Sequence, residues 1–348
     1  MATTRPPLGV TYVIPVFNEV AYIEDAVNTV LGQDYEGEKE LVLALGPSTD
    51  GTTELVERLA AAEPRIRLVP NPGMDIPVGL NLAIRAGSHP IVVRVDAHSE
   101  LEPDYTRRAI ATLERTGAAN LGGVMLARGK TPFQSAVARA YNSPIGLGGG
   151  SYHGRTEAGP AESAYLGVFR REILEAVGLY DESVRRGEDW ELNLRIRQAG
   201  HTVWFDPTLE VTYWPRESWS KLARQFCATG IWRGELVRRY RGRNPWRFFV
   251  PPALVVVLAL AVVLAVLQLT GLVRGWPSLV LSLIYLGPIA YAALVLLLSF
   301  SKAGGPAFKD RWRFLFVLPT MHLSWGAGFL LGLVRGAGDT VDTSRTGI

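Results

Sequence analysis

The run 91–100, IVVRVDAHSE, places an acid and an imidazole two residues apart, at Asp96 and His98. β-branched residues lead into them, so the pair is read at the end of a strand. Positions i and i+2 of an extended chain project to one side. Asp96 and His98 could thus hold one divalent ion, Mg²⁺ or Mn²⁺, with the imidazole favouring an Mn²⁺-like ion. A strand end that merely happens to be polar is the other reading of this spacing. A second pair of acids, Glu188 and Asp189, follows Gly187 and opens a helical spacing of Leu192, Leu194 and Ile196. Acids suit a helix N-terminus for electrostatic reasons alone. Next to a nucleotide and metal pocket, one of them could instead take the proton from an attacking hydroxyl. Asp189 is read as that base, and Glu188 as the group orienting Asp189 or the acceptor.

The elements that must position these groups alternate at short intervals. Strands are expected over 10–16, 40–45, 66–69 and 91–95, with helices over 24–31, 54–62 and 79–86 between them. That order predicts an α/β fold with a parallel sheet. Right-handed crossovers put the turns after the strands on one edge. Glu19, the turn 46–50 and Asp96/His98 should meet there, in a pocket suited to a nucleoside diphosphate. Further on, a strand over 162–169 and a helix over 170–178 are expected. The glycines at 146 and 148–150 offer either an acceptor-wrapping lid or a plain flexible loop.

The chain resembles a family 2 glycosyltransferase of the GT-A fold. The resemblance rests on VIPVFNE, then STDGT, then a DXD-like strand end, then an ED followed by an Arg-rich helix, and covers roughly 11–233. RVDAH, the TPFQSAVARAYNSPIGLGGG region and LGVFRREILEAVGLYDE are similar to the ExoA-like branch, which builds exopolysaccharides. The resemblance implies that Pro15, Asn18 and Glu19 form the first nucleotide-contacting loop. It implies Asp50 as the last acid of the second turn, Asp96 and His98 as the metal-binding pair, and Asp189 as the base. Arg224, Gln225 and Arg233 loosely match a QXXRW-like helix that closes over the diphosphate; a purely interfacial role for that helix is the alternative. The pattern is departed from in two respects: Leu45-Gly46 stands where an Asp-Asp pair is usual, and the DXD ends in His.

The chain has 348 residues, a formal charge of +3 and one cysteine, Cys227, which excludes an internal disulfide. The short apolar run 11–17, interrupted by Pro15 and followed by Asn18 and Glu19, does not read as a signal peptide. Residues 231–248 carry six arginines against Glu235. This basic cluster abuts an apolar region, so nucleic acid is not the expected partner. Trp219, Leu222 and Phe226 give an amphipathic helix expected at a membrane interface. Apolar stretches over 253–273, 279–300 and 314–334 each match the roughly 20 residues that cross a bilayer. Basic residues before the first stretch and between the second and third put both segments in the cytoplasm. The C-terminal tail is then expected outside.

The expected organisation is a GT-A domain over 1–213, a basic interfacial region over 214–250, three transmembrane helices over 251–335 and a polar tail. The expected protein is a multi-pass enzyme of a bacterial-type inner membrane with a cytoplasmic catalytic domain. The resemblance implies an inverting transfer from a nucleoside-diphosphate sugar to a lipid-linked glycan acceptor. The rival readings are a polyprenyl-phosphate glycosyl synthase, a processive synthase and a catalytically silent scaffold.

Overall fold

A computed structural model describes residues 6–143, 145–147, 157–341 and 344. Of the glycines read as a lid or loop, Gly148, Gly149 and Gly150 lie outside the described residues. The chain forms two compact units. One comprises Met1–Arg128 with Gly149–Trp214, and the other Gly129–Gly148 with Pro215–Ile348. Residues 129–148, expected within the catalytic domain, thus cluster with the C-terminal unit.

In the first unit, β1 (Val10–Val16), β2 (Lys39–Leu45), β3 (Ile66–Pro70) and β4 (Ile91–Arg94) alternate with α1 (Ile23–Leu31), α2 (Thr52–Ala62) and α3 (Ile76–Ala86). These elements match the expected ones to within a few residues at their ends. Then come β5 (Ser99–Leu101), α4 (Tyr105–Thr116) and β6 (Asn120–Ala127). After α5 (Pro132–Tyr141), which belongs to the other unit, β7 (Gly159–Pro160), β8 (Val168–Arg170), α6 (Arg171–Ala176), α7 (Glu188–Gln198) and β9 (Val203–Tyr213) complete it. The sheet order is β3-β2-β1-β4-β8-β6-β9-β5, with β7 on β9. The β3-β2-β1-β4 half is parallel; β8 then pairs antiparallel with both β4 and β6. The sheet is therefore mixed.

Two layers of buried side chains flank the sheet. Tyr12, Ile14, Leu41, Leu43 and Val93 pack with α1 and α4 on one face. Val13, Val42, Val92, Leu80 and Phe169 pack with Leu192 and Ile196 of α7 on the other. Truncating either α7 side chain to Ala would cost about 2–5 kcal/mol, because a close-packed site collapses only in part. The expected strand over 162–169 shortens to Val168–Arg170. Leu166 (φ 61°) and Gly167 (φ 100°) adopt left-handed backbone, which breaks extended structure.

In the second unit, α8 (Trp219–Arg239) is followed by α9 (Val250–Leu269), α10 (Gly275–Leu281), α11 (Leu286–Phe300) and α12 (Phe308–Arg335). Among the described residues, three stretches are long and apolar enough to cross a membrane: Trp246–Leu269, Gly275–Phe300 and Phe308–Arg335. The middle one is interrupted by a 3₁₀ turn at Ser282–Tyr285. Pro288 follows, and its ring cannot coexist with a normal α-helical bond to the carbonyl of residue 284.

Two of the three apolar residues expected at a membrane interface are covered by protein, while Trp219 is 41% exposed. Leu222 and Phe226 are buried, and α8 lies against α12. Glycines make the approach close. A Cβ on Gly230 would stand 2.1 Å from the Trp325 carbonyl oxygen, and one on Gly332 1.9 Å from that of Ile231. Gly328 meets Cys227, and Gly234 meets Phe329, in the same way.

Candidate active site

β1 lies between β2 and β4, so the chain leaves it in one direction and returns to its other side. Such a switch point opens a crevice at the carboxyl ends of the strands. The register shows where it opens. β1 pairs with β4 only as far as Val13↔Arg94, but with β2 as far as Val16↔Leu45. Pro15 sits in the part of β1 that has left β4, where its missing N–H costs no ladder bond on that side.

Three loops meet here. Asn18 has left-handed backbone (φ 54°). Its amide donates to Ser48 Oγ at 3.0 Å, and its Oδ1 accepts from the Thr49 amide at 2.8 Å. The Glu19 amide donates to Thr52 Oγ1 at 2.9 Å. Asp50 accepts from the Thr52 hydroxyl at 2.5 Å, the Thr52 amide at 3.1 Å and the Val20 amide at 3.2 Å; partial burial raises its carboxyl, but these bonds hold it below the usual carboxylate range. In this structure Asp50 therefore ties the first two loops together. The buried Glu19 reaches the third loop, where its Oε1 lies 3.0 Å from His98 Nδ1.

Asp96 and His98 lie beyond the end of β4, in a turn closed by the Ser99 amide donating to the Asp96 carbonyl at 2.9 Å. Turn geometry places the two side chains, and strand alternation does not. A carboxylate only accepts, so Glu19 assigns the proton to His98 Nδ1 and the lone pair to Nε2. A carboxylate behind a histidine is a recurrent way of orienting a metal ligand. Among the described residues no group of three or more His, Cys, Asp or Glu could hold an ion. Asp96 and His98 fit an ion that brings most of its ligands with it, as Mg²⁺ or Mn²⁺ bound to phosphate does.

The second pair of acids reaches the same place through α7. Gly187 adopts φ 81° immediately before the helix, a conformation that costs glycine little. Glu188 and Asp189 then occupy the first turn. Both pair with Arg94, the last residue of β4 and only 5% exposed at its side chain. Arg94 Nη2 lies 2.9 Å from Glu188 and 3.2 Å from Asp96, and Nη1 bonds Asp189. The Tyr180 ring covers the guanidinium at 5.8 Å, and Asn81 on α3 holds the Tyr180 backbone from both sides. Asn193, one turn along α7, donates to the Asp189 carbonyl at 2.8 Å and fixes the helix start.

Three carboxylates share one guanidinium in this cluster. Burial, with Glu188 and Asp96 adding like charge, pushes the Asp189 carboxyl up to about 8 against the opposing pull of Arg94. The same acids raise the Arg94 pKa.

A model of glycosyl transferase family 2 matches residues 11–178. The succinoglycan biosynthesis protein ExoA of Rhizobium meliloti is 31% identical over 320 residues, which is 91% of this chain and 92% of that protein. The chain belongs to glycosyl transferase family 2. A dolichyl N-acetyl-α-D-glucosaminyl phosphate 3-β-D-2,3-diacetamido-2,3-dideoxy-β-D-glucuronosyltransferase of Methanococcus voltae is 24% identical, over 69% of this chain and 77% of that one. Among solved structures, the mannosyltransferase PcManGT from Pyrobaculum calidifontis, in complex with GDP-Man and Mn²⁺, superposes with a TM-score of 0.61. It is 20% identical and the match covers 95% of this chain and 88% of that one, which establishes the GT-A fold.

In this family 2 chain the first unit gathers Asn18, Glu19, Asp50, Asp96, His98, Glu188 and Asp189 at one sheet edge. Arg224, Gln225 and Arg233 lie on α8, in the second unit. There Gln225 is buried and accepts from the Tyr141 hydroxyl at 3.1 Å, and the Arg233 guanidinium carbon stands 4.2 Å from the centre of the Phe248 ring. Sequence reasoning missed Arg94. The available signal was a cation inside the run IVVRV, where burial forces an ion pair.

Proposed function

We propose that this chain is a membrane-anchored, inverting glycosyltransferase. It would move a sugar from a nucleoside-diphosphate donor to a lipid-linked glycan at the cytoplasmic face of a cell membrane. The observation that carries this reading is the Arg94 cluster, which holds Asp96 and Asp189 on one buried guanidinium. In a single-displacement reaction Asp189 takes the proton from the acceptor hydroxyl. That oxygen bonds to the anomeric carbon from the face opposite the leaving group. The bond from the anomeric carbon to the diphosphate oxygen breaks, and the nucleoside diphosphate departs with the bonding pair. A general base works best when its pKa lies near the working pH, and an Asp189 carboxyl raised to about 8 is within reach of neutrality.

A divalent ion at Asp96 and His98 would supply the charge that neutralises the leaving diphosphate. Mn²⁺ in the PcManGT complex supports that choice. The lipid-linked acceptor is supported by the M. voltae relative, whose name specifies a dolichyl-phosphate-linked sugar. ExoA supports an exopolysaccharide product. Glu19 would hold His98 for the ion, and Asn18 would shape the nucleotide loop.

Membranes containing the protein should be supplied with UDP-, GDP- and dTDP-sugars and Mn²⁺, and the lipid fraction read by mass spectrometry. The expected result is one added sugar on a lipid-linked glycan, lost on chelation of the metal and in Asp96→Ala and Asp189→Asn. Sugar on bare polyprenyl phosphate that survives Asp189→Asn would instead establish a lipid-phosphate synthase, since a phosphate acceptor needs no hydroxyl base.

A further inference from the structure

α12 is long and apolar enough to cross a membrane, but its mean hydropathy of 1.5 is below the 2.9 and 2.2 of the other two candidate spans, and its surroundings differ from theirs. Its C-terminal half lies against α8 with almost no side chain between the backbones, at Gly230, Gly234, Gly328 and Gly332. α8 carries Lys221, Arg224, Arg233, Glu235, Arg238 and Arg239. Each such charge costs about 2.5–3.5 kcal/mol at the centre of a bilayer, so α8 does not cross one. The two helices run in the same direction, and Gly336 at the end of α12 abuts Arg238 and Glu235 at the end of α8.

The start of α12 is held by polar chain as well. Asp310 pairs with Arg139 of α5 at 3.7 Å, and midway along the helix His322 meets the Ile145 carbonyl at 3.0 Å and the Tyr291 hydroxyl of α11 at 3.0 Å. α5 is itself tied to the base of α8, through Gln134 donating to the Pro215 carbonyl at 2.9 Å. Beyond α12 the tail turns back along α8. Trp232 Nε1 donates to the Thr340 carbonyl at 2.9 Å, and the buried Arg216 donates to Ser344 Oγ at 2.6 Å. Arg216 follows Trp214, the last residue of the catalytic unit, by two positions.

α9 with α10 and α11 has the opposite character. Neither α9 nor α11 contains a charge, and Val262, Leu269, Leu279 and Leu297 are 64%, 88%, 67% and 72% exposed. The turn between α9 and α10 bears one cation, Arg274. Arg239, Arg241, Arg243 and Arg247 precede α9, and Lys302 and Lys309 follow α11. That asymmetry places both ends of the hairpin on the positive, cytoplasmic side.

We propose that α9 and α10–α11 form a membrane-inserted hairpin, that α12 lies on the membrane surface beside α8, and that the C-terminal tail stays on the catalytic side. The inference rests on the membrane-anchored reading above and replaces three crossings, with an external tail, by an even arrangement. The partner of the hairpin is the lipid bilayer, whose hydrocarbon core of about 30 Å matches the 20 residues of α9 at about 1.5 Å each.

The test uses the full chain with one specific protease site and tag at each terminus, in sealed vesicles of defined orientation. After a carbonate wash the protein should stay in the membrane, and both tags should be released from the same side and to the same extent. Release of the two tags from opposite sides would overturn the inference, because α12 would then cross. Loss of the protein to the wash would overturn it too, because no hairpin would be inserted. Sugar transfer, assayed separately on the same vesicles, reports on the glycosyltransferase reading whichever side the tail occupies.

Discussion

The Arg94 cluster in the first unit and the α8–α12 seam in the second both bring groups into close contact, but by opposite means. Around Arg94, long charged side chains are brought together and neutralise one another. Along the seam, side chains are removed so that two backbones touch. The first arrangement fails when something is taken away, because a buried charge loses its partner. The second fails when something is added, because a Cβ meets a carbonyl. A charge cluster can do chemistry on a ligand. A glycine seam holds a shape.

The sharpest way to break the contrast is Arg94→Ala. Three carboxylates would then face each other around a buried, unpaired position, and the protein should lose about 3–5 kcal/mol of stability, read by denaturant unfolding in detergent. Arg94→Lys should recover only part, since one ammonium lacks the guanidinium fork that reaches three acids. Unchanged unfolding of Arg94→Ala would mean that the acids do not depend on this cation.

Asp189→Asn separates function from packing at the same cluster. The amide is nearly isosteric with the neutral carboxyl, so stability near pH 4, where the carboxyl is still protonated in the fold, should move by less than about 1 kcal/mol, while transfer at neutral pH falls by about 10²–10⁴-fold. Comparable losses of both would reduce Asp189 to a structural role.

On the seam, Gly332→Ala should cost about 1–3 kcal/mol, because its Cβ would overlap the Ile231 carbonyl. Leu331→Ala next to it, where the side chain is 44% exposed, should change the melting temperature far less. Equal effects would mean that the seam is loose.

The smallest effect per step is a slope with pH. Asp189 is raised in the fold to about 8, above its ordinary unfolded value. Its contribution to stability is thus complete below about pH 4 and is lost as pH rises through about 8. Relative to Asp189→Asn, the ligand-free wild type should lose stability between about pH 5 and 8, by at most about 1.4 kcal/mol per pH unit. A flat difference would mean that Asp189 keeps an ordinary carboxylate pKa.

Local order decided much that could be read without coordinates. β-branched runs ending in polar turns marked β1 to β4, because strand periodicity and turn chemistry act over a few residues. The two loops that meet at Asn18 and Asp50 followed from parallel topology. The uncharged stretches of α9 and α11 declared their preference for lipid through composition alone.

The tertiary structure decided what depends on residues far apart in the chain. Arg94 meets Glu188 and Asp189 because β8 returns antiparallel to β4 and α7 follows it onto the same sheet face, and no local pattern encodes that return. Residues 129–148 leave the first unit because their helix packs on α12. Most tellingly, the same run of apolar residues in α12 suits a lipid core or a glycine-lined protein face equally well. Hydrophobicity states that a helix must be covered; only packing states by what.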